Sequence, residues 1–304
     1  MKETGKIWMN GKLVPFKNAK VHVLTHALHY STSIFEGIRC YDTPEGSAIF
    51  RLPEHIDRFF NSAKMYSMKM PYSKKKISDG IVNTVNASKL KQCYIRPLAY
   101  YGYGTMGLTP TNNKVDVSIS CWEWKMGESK AGKFSGAKCK ISKWVRIDSK
   151  SQPMKPKSAA NYSNAALARM EALNAGYDEA IMLNNKGHVA EGSAENIFVV
   201  KNGKITTPPL DADILDGITR DSAIKLLKSN KSKVIEKNLR INDLLKADEI
   251  FMTGTAAEVK SVTRVNKTKI GDGKIGEVTK ELQELFMDTV MGKNKKFRSW
   301  LKFI

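Results

Sequence analysis

The sequence predicts an α+β chain built as two domains. Asn-Gly and other glycine turns separate short β-branched or aromatic runs, which signals antiparallel hairpins. Amphipathic segments with a period near 3.6 fall between those runs and read as helices. The 304 residues, 41% of them hydrophobic, are enough for two cores, and the composition turns Gly-, Ser- and Lys-rich across residues 125–137. The expected division is a small N-terminal α+β domain over residues 1–125, an interdomain linker over 126–137, and a larger C-terminal domain over 138–304.

Taken in order, Ile7-Trp8-Met9, Asn10-Gly11 and Lys12-Leu13-Val14 form a hairpin signal. The stretch from Val21 to Tyr30 opens with strand-like alternation and holds His22, His26 and His29. No carboxylate or cysteine accompanies these histidines, so a metal site is not expected. Residues 31–41 read as one strand, a turn at Thr43-Pro44-Glu45-Gly46 follows, and Ala48-Ile49-Phe50 pairs back. Pro53 opens a helix whose apolar face is Ile56, Phe59, Phe60 and Ala63, with Arg58 off the stripe. Ile77, Ile81, Val82 and Val85 mark a second helix. Residues 94–101 read as a strand in which Pro97 implies an edge or a bulge. Gly102-Tyr103-Gly104-Thr105-Met106-Gly107 matches Gly-x-Gly-x-x-Gly, but loop residues follow rather than a helix, so the dinucleotide reading fails. Residues 115–122 form a further strand.

The second half starts with a strand over residues 138–147. Residues 151–162 then carry Pro153, Lys155, Pro156 and Lys157. Pro156 pushes Lys155 towards an extended conformation, and Lys157 emerges just before a helix. That helix is read through Ala165, Ala166, Leu167, Met170 and Leu173, ending near Gly176. Hairpin signals recur at residues 184–187 and at Asn202-Gly203. Gly217-Ile218-Thr219 opens a helix, Glu249-Ile250-Phe251-Met252-Thr253 is a strand, and the last helix uses Val278, Leu282, Leu285, Phe286 and Val290.

Net charge is +20, from 50 basic and 30 acidic side chains. The bases are dispersed, with blocks only at Lys74-Lys75-Lys76 and around Lys293, Lys295 and Lys296. Scatter of this kind argues for a solubilising surface over a nucleic-acid groove, and it favours anionic small substrates. The four cysteines form no Cys-x-x-Cys pair. With no apolar leader or membrane-length run, the expectation is a cytoplasmic protein with reduced thiols and no membrane partner.

Two stretches offer phosphate nests: Gly217-Ile218-Thr219 at a helix start, and Gly254-Thr255-Ala256 after a strand. Arg58 can add a charge-assisted pair to a phosphate. Glu191 and Glu195 fall in a turn between strands. A lysine, an acid and a phosphate cup are what pyridoxal phosphate needs: an amine for the Schiff base, a carboxylate for the pyridine nitrogen, and an anchor for the far end.

At these residues the chain resembles the branched-chain amino-acid aminotransferases, fold-type IV pyridoxal-phosphate enzymes of the class IV aminotransferase family. The resemblance covers nearly the whole chain. It is carried by Val21-His22-Val23, His26-Ala27-Leu28-His29-Tyr30, Phe35-Glu36-Gly37-Ile38-Arg39 and Tyr94-Ile95-Arg96-Pro97. It continues through Glu191-Gly192, Glu195-Asn196, Gly217-Ile218-Thr219-Arg220 and Gly254-Thr255-Ala256-Ala257-Glu258.

The resemblance implies a two-domain, D-amino-acid-aminotransferase-like architecture with the cofactor between the domains, and a homodimer or dimer-based oligomer. It implies that Lys157 forms the internal aldimine and then shuttles a proton. Glu191 would pair with the pyridine nitrogen and Tyr162 with the ring hydroxyl. Arg58, Ile218, Thr219 and Thr255 would hold the phosphate. Tyr94, with the N–H groups of Thr255 and Ala256, would take the substrate α-carboxylate. Arg96, with Tyr30 from the partner, would take the distal carboxylate of glutamate, while Phe35, Trp124 and a partner's Leu108 line an apolar pocket. The implied reaction is ping-pong transamination between leucine, isoleucine or valine and 2-oxoglutarate.

The sequence departs from the family pattern at Ala159-Ala160, where glycine usually precedes the Asn-Tyr pair, and at Asp216, often a proline. The basic tail from Lys293 onward matches no family feature. Rival readings are a D-amino-acid or amine aminotransferase, aminodeoxychorismate lyase, and, in another class, a basic nucleic-acid-binding protein. The D-specific enzymes carry Arg-x-His in the loop that here spans residues 100–110 without Arg or His.

Overall fold

The computed structural model describes residues 5–110, 112–124 and 136–304. They group into two compact units, one of Met1–Lys125, Pro156–Ala160 and Thr289–Ile304, the other of Met126–Lys155 and Asn161–Asp288.

The first unit is an antiparallel sheet with its two long helices packed on one face. Its elements are β1 (Lys6–Met9), β2 (Lys12–Pro15), α1 (His26–Tyr30), β3 (Ser33–Phe35), β4 (Ile38–Thr43), β5 (Gly46–Phe50), α2 (Leu52–Met65), α3 (Lys74–Ser88), β6 (Cys93–Tyr101) and β7 (Val115–Glu123). The order runs β2-β1-β7-β6-β4-β5, and β3 also pairs with β6. Asn10 and Gly11 both take positive φ, as the two-residue hairpin requires. Pro53 stands in the first turn of α2, where its missing N–H costs nothing. Alternate residues of β6 (Cys93, Ile95, Ala99, Tyr101) join Ile56, Phe59, Ile77, Ile81 and Val85 in the core. Tyr94, Arg96, Leu98 and Tyr100 therefore belong to the opposite face.

Several expectations change here. Residues 21–24 are not a strand; the segment leads into the short α1 and leaves Val21, Val23 and Leu24 exposed. The strand expected over residues 31–41 is interrupted at Glu36-Gly37, because the buried Glu36 carboxylate turns to meet basic side chains. Pro97 lies neither on an edge nor in a bulge. It sits in a central strand opposite that interruption, where Glu36 N–H donates to its carbonyl at 2.9 Å and no strand residue calls for its missing N–H. The basic tail also has a place: a 3₁₀ turn at Lys295–Trp300 leads to a C-terminal strand, Leu301–Phe303, which pairs antiparallel with β5. This pairing counts the tail with the first unit, although the sequence division put everything beyond 137 in the second.

The second unit holds β8 (Ala137–Ile141), α4 (Ala159–Asn174), β9 (Glu179–Leu183), β10 (Val189–Gly192), β11 (Asn196–Lys201), β12 (Lys204–Thr207), α5 (Ile218–Ser229), β13 (Val234–Glu236), α6 (Ile241–Leu245), β14 (Glu249–Gly254), β15 (Glu258–Val265), β16 (Thr268–Lys269) and α7 (Glu277–Val290). Among the described residues its sheet runs β10-β9-β8-β15-β14-β11-β12-β13. Most of the expected linker, residues 126–135, lies outside the described residues, and Ala137 already belongs to β8. That strand ends at Ile141 rather than 147, where Ser142 and the N–H of Lys143 turn to the Glu171 carboxylate. The helix read through residues 165–173 is α4, and its small residues form the buried face. Ala165, Ala168 and Ala172 pack inward, with Ala168 and Ala172 against Ala180 and Met182, while Leu167, Met170 and Leu173 face outward. Small side chains allow the helix to approach the sheet closely, which the larger ones would prevent.

Candidate active site

In the first unit the site is built around Lys157. Its N–H donates to Ser62 Oγ at 3.0 Å, and its carbonyl accepts from Phe35 N–H at 2.9 Å. Ser158 bridges to Ile34, and its hydroxyl accepts from Tyr66 Oη at 2.8 Å. The peptide is thus clamped between β3 and α2. Lys157 Nζ lies 5.0 Å from the Phe35 ring centre. Burial, then the nearby Arg58 and Arg96, push its pKa down to about 8, against an opposing pull from Glu36 and Tyr94. Lys155, two residues earlier, is exposed.

Arg58 forks onto Glu36: Nε to Oε1 at 2.7 Å and Nη2 to Oε2 at 2.9 Å. His55, one turn back on α2, reaches Glu36 Oε2 through Nδ1 at 2.7 Å. A carboxylate only accepts, so Nδ1 carries the proton. Burial would raise the Glu36 pKa, but Arg58 and His55 outweigh it and hold the carboxyl well below the usual range. Burial keeps the His55 pKa below its ordinary value, with Arg58 and Lys157 adding to the effect and Glu36 opposing it.

The Arg96 guanidinium carbon lies 4.6 Å from the Phe35 ring centre, 5.5 Å from Tyr94 and 5.7 Å from Trp122. Its buried Nε has no acceptor among the described residues. Tyr94 stacks on Trp122 at 5.0 Å and meets Trp124 at 5.6 Å. Phe35, Arg58, Tyr94, Arg96, Trp124 and Lys157 are thus brought together through linked contacts. Tyr30 and Leu108 make none of these contacts. Tyr30 Oη donates to Met106 O at 3.1 Å, and both side chains are exposed. The glycine stretch is a loop tied by Asn113, which accepts from Thr105 N–H and donates to the carbonyls of Gly102 and Thr105. The histidines are bonded locally: His26 to Thr32 and Gly107, His29 to Val23, and His22 to Leu24.

The second unit, by itself, holds an anchored carboxylate and helix-end donors. Glu191, buried on β10, pairs through Oε1 with Arg146 Nη2 at 2.6 Å. Its Oε2 accepts from Asn196 Nδ2 at 3.0 Å and Leu215 N–H at 3.2 Å. Asn196 Nδ2 also donates to Leu215 O, and its Oδ1 lies so close to Gly217 that a β-carbon there would overlap it. This one amide therefore fixes both the carboxylate and the loop entering α5. Gly217 caps α5 with no side-chain bond, so the N–H groups of Ile218 and Thr219 stand at an uncapped helix end. Thr255 and Ala256 occupy the turn joining β14 to β15, and Tyr162 is half-buried near the start of α4.

The sequence reading gave no role to Glu36, His55, Ser62, Arg146 or Asn196. Glu36 and Asn196 lie inside the quoted family blocks, which was the available signal; Arg146 carried none.

A family model described as "Amino-transferase class IV" matches residues 33–265. The branched-chain-amino-acid aminotransferase of Pseudomonas aeruginosa is 43% identical over 97% of this chain and 96% of its own length. That of Escherichia coli K12 is 38% identical over 99% and 97%. A crystal structure of the T.th. branched-chain amino acid aminotransferase, complexed with N-(5'-phosphopyridoxyl)-L-glutamate, superposes with a TM-score of 0.96 at 43% identity, covering 100% of this chain and 99% of that one. With a half-buried low-pKa lysine, a pinned carboxylate and this full-length similarity, the chain belongs to the class IV aminotransferases, in their branched-chain-amino-acid group.

Proposed function

We propose that this protein transfers the amino group of leucine, isoleucine or valine to 2-oxoglutarate with pyridoxal phosphate as cofactor. The donor set fits that cofactor: a half-buried, low-pKa amine and an arginine in the first unit, and a fixed carboxylate with uncapped helix-end N–H groups in the second. When bound, pyridoxal phosphate supplies an electron sink for the substrate's α-carbon.

The Lys157 amine, poised near neutrality, takes the α-proton of the amino acid and returns one to the oxo acid in the reverse half. Glu191 accepts the hydrogen bond of a protonated pyridine nitrogen, and Tyr162 bonds the ring hydroxyl. Arg58 and the N–H groups of Ile218, Thr219 and Thr255 hold the phosphate. Tyr94, Thr255 and Ala256 orient the substrate α-carboxylate. Arg96 faces two kinds of side chain. Its aromatic surround suits leucine, and its acceptor-free Nε suits the distal carboxylate of glutamate. Phe35 and Trp124 line the apolar side.

A homodimer in the cytoplasm is part of this reading. The exposed Tyr30 and Leu108 would then complete a second copy's pocket. No helix among the described residues is long and apolar enough to cross a membrane.

The observation that carries the proposal is the clamped, low-pKa Lys157. The test mixes the loaded protein with a panel of L- and D-amino acids and follows the cofactor's visible absorbance. Bleaching by L-leucine, L-isoleucine, L-valine and L-glutamate is expected. Bleaching by D-alanine alone would overturn the substrate assignment.

A further inference from the structure

Glu36 is a carboxylate beside Lys157 with no exposed surface, and the proposed reaction gives it no role. It lies in the gap between β3 and β4, where Gly37 N–H also donates to its Oε2 at 3.2 Å. Both oxygens are used. Oε1 meets Arg58 Nε, while Oε2 meets Arg58 Nη2 and His55 Nδ1. A two-point fork fixes the plane of a guanidinium, which a single bond does not. It uses two of the five N–H donors and leaves the group charged.

We propose that Glu36 is a positioning residue: its buried carboxylate, braced by His55 and Gly37, sets the orientation in which Arg58 meets the cofactor's phosphate. This rests on the reading of Arg58 as a phosphate-holding residue. Shifting α2 is not an alternative route to that geometry. Ser62, one turn beyond Arg58, is committed to the Lys157 N–H, so helix, lysine and arginine form one frame. The same carboxylate partly offsets the cationic field of Arg58 and Arg96 on the Lys157 amine.

The test compares binding of pyridoxal phosphate with binding of pyridoxal, which lacks the phosphate. Full-length wild type, Glu36→Gln, Arg58→Ala and the double variant are titrated, and binding is read by absorbance. A glutamine has one acceptor oxygen in place of two, so its NH2 would face one of the two Arg58 donors. Glu36→Gln should weaken pyridoxal phosphate roughly 10- to 100-fold more than it weakens pyridoxal, because any change in the Lys157 amine acts on both ligands alike. In the Arg58→Ala background the same change should add nothing. Arg58→Lys keeps the charge but cannot fork, and serves if Glu36→Gln does not fold; it should lose the phosphate preference too.

Equal loss for both ligands, full additivity with Arg58→Ala, or a wild-type preference in Arg58→Lys would each overturn the proposal. A wild type that binds pyridoxal and pyridoxal phosphate equally would instead overturn the phosphate reading of Arg58 beneath it.

Discussion

The Tyr94 hydroxyl lies over Gly37 so closely that a β-carbon on Gly37 would overlap it. Tyr94 lies on β6, and Gly37 in the gap between β3 and β4, both of which pair with β6. Glycine is needed here for space, not for an unusual backbone angle. A side chain at 37 must displace the tyrosine that is proposed to take the substrate carboxylate. Gly37→Ala should therefore lower kcat/KM for L-leucine by about 100-fold, the scale of a misplacement near 1 Å, with the fold retained by circular dichroism. Wild-type kinetics in this variant would show that Tyr94 has another role.

The lowered pKa of Lys157 gives a pH dependence of definite sign. Only the unprotonated amine is nucleophilic. Acylation of Lys157 in the cofactor-free chain, followed by peptide mass spectrometry, should rise with pH through a midpoint near 8, not near the ordinary 10.5. The folded chain binds fewer protons than the unfolded chain between these values. The destabilisation from burying this lysine is therefore relieved as pH climbs through that window. A midpoint above 10 would mean that the amine is not desolvated.

Arg146 and Glu191 form an ion pair with both side chains only 5% exposed. Removing one partner leaves the other charge buried. Arg146→Met should cost about 3–5 kcal/mol in urea unfolding. Glu191→Gln in the Arg146→Met background should recover part of that loss, since the orphaned charge is then gone. Equal stability of Arg146→Met and wild type would place the pair in a wetter setting than the geometry indicates.

Local chemistry made much of this fold legible. Asn10-Gly11 marked its hairpin, Pro53 its helix start, and Gly217 the entry to α5, because each acts on its own backbone. What was missed depends on distant partners. Glu36 interrupts a strand for Arg58 and His55 on a later helix, and no local pattern distinguishes a buried acid from a surface one. The C-terminal strand is fixed by β5, with Arg51 lying over the Trp300 ring at 4.5 Å and Arg298 paired with Glu45, far away in sequence. In α4 the pattern marked a helix without its buried face: alanines pack against the neighbouring sheet and the larger apolar residues face outward. The site followed the same division. Glu191 and the glycine loops sit in quoted blocks, and Lys157 was read from its proline-flanked place before a helix, whereas Arg146, which holds Glu191, lies in a stretch with no such signal.

The central claim is that Lys157, and no other lysine, carries the cofactor. Borohydride reduction of the pyridoxal-phosphate-loaded protein, followed by peptide mapping, tests it most directly. The phosphopyridoxyl mass should appear on Lys157 alone, and Lys157→Ala should take up no label while Lys155→Ala labels normally. Label on Lys155, or undiminished labelling in Lys157→Ala, would contradict the account.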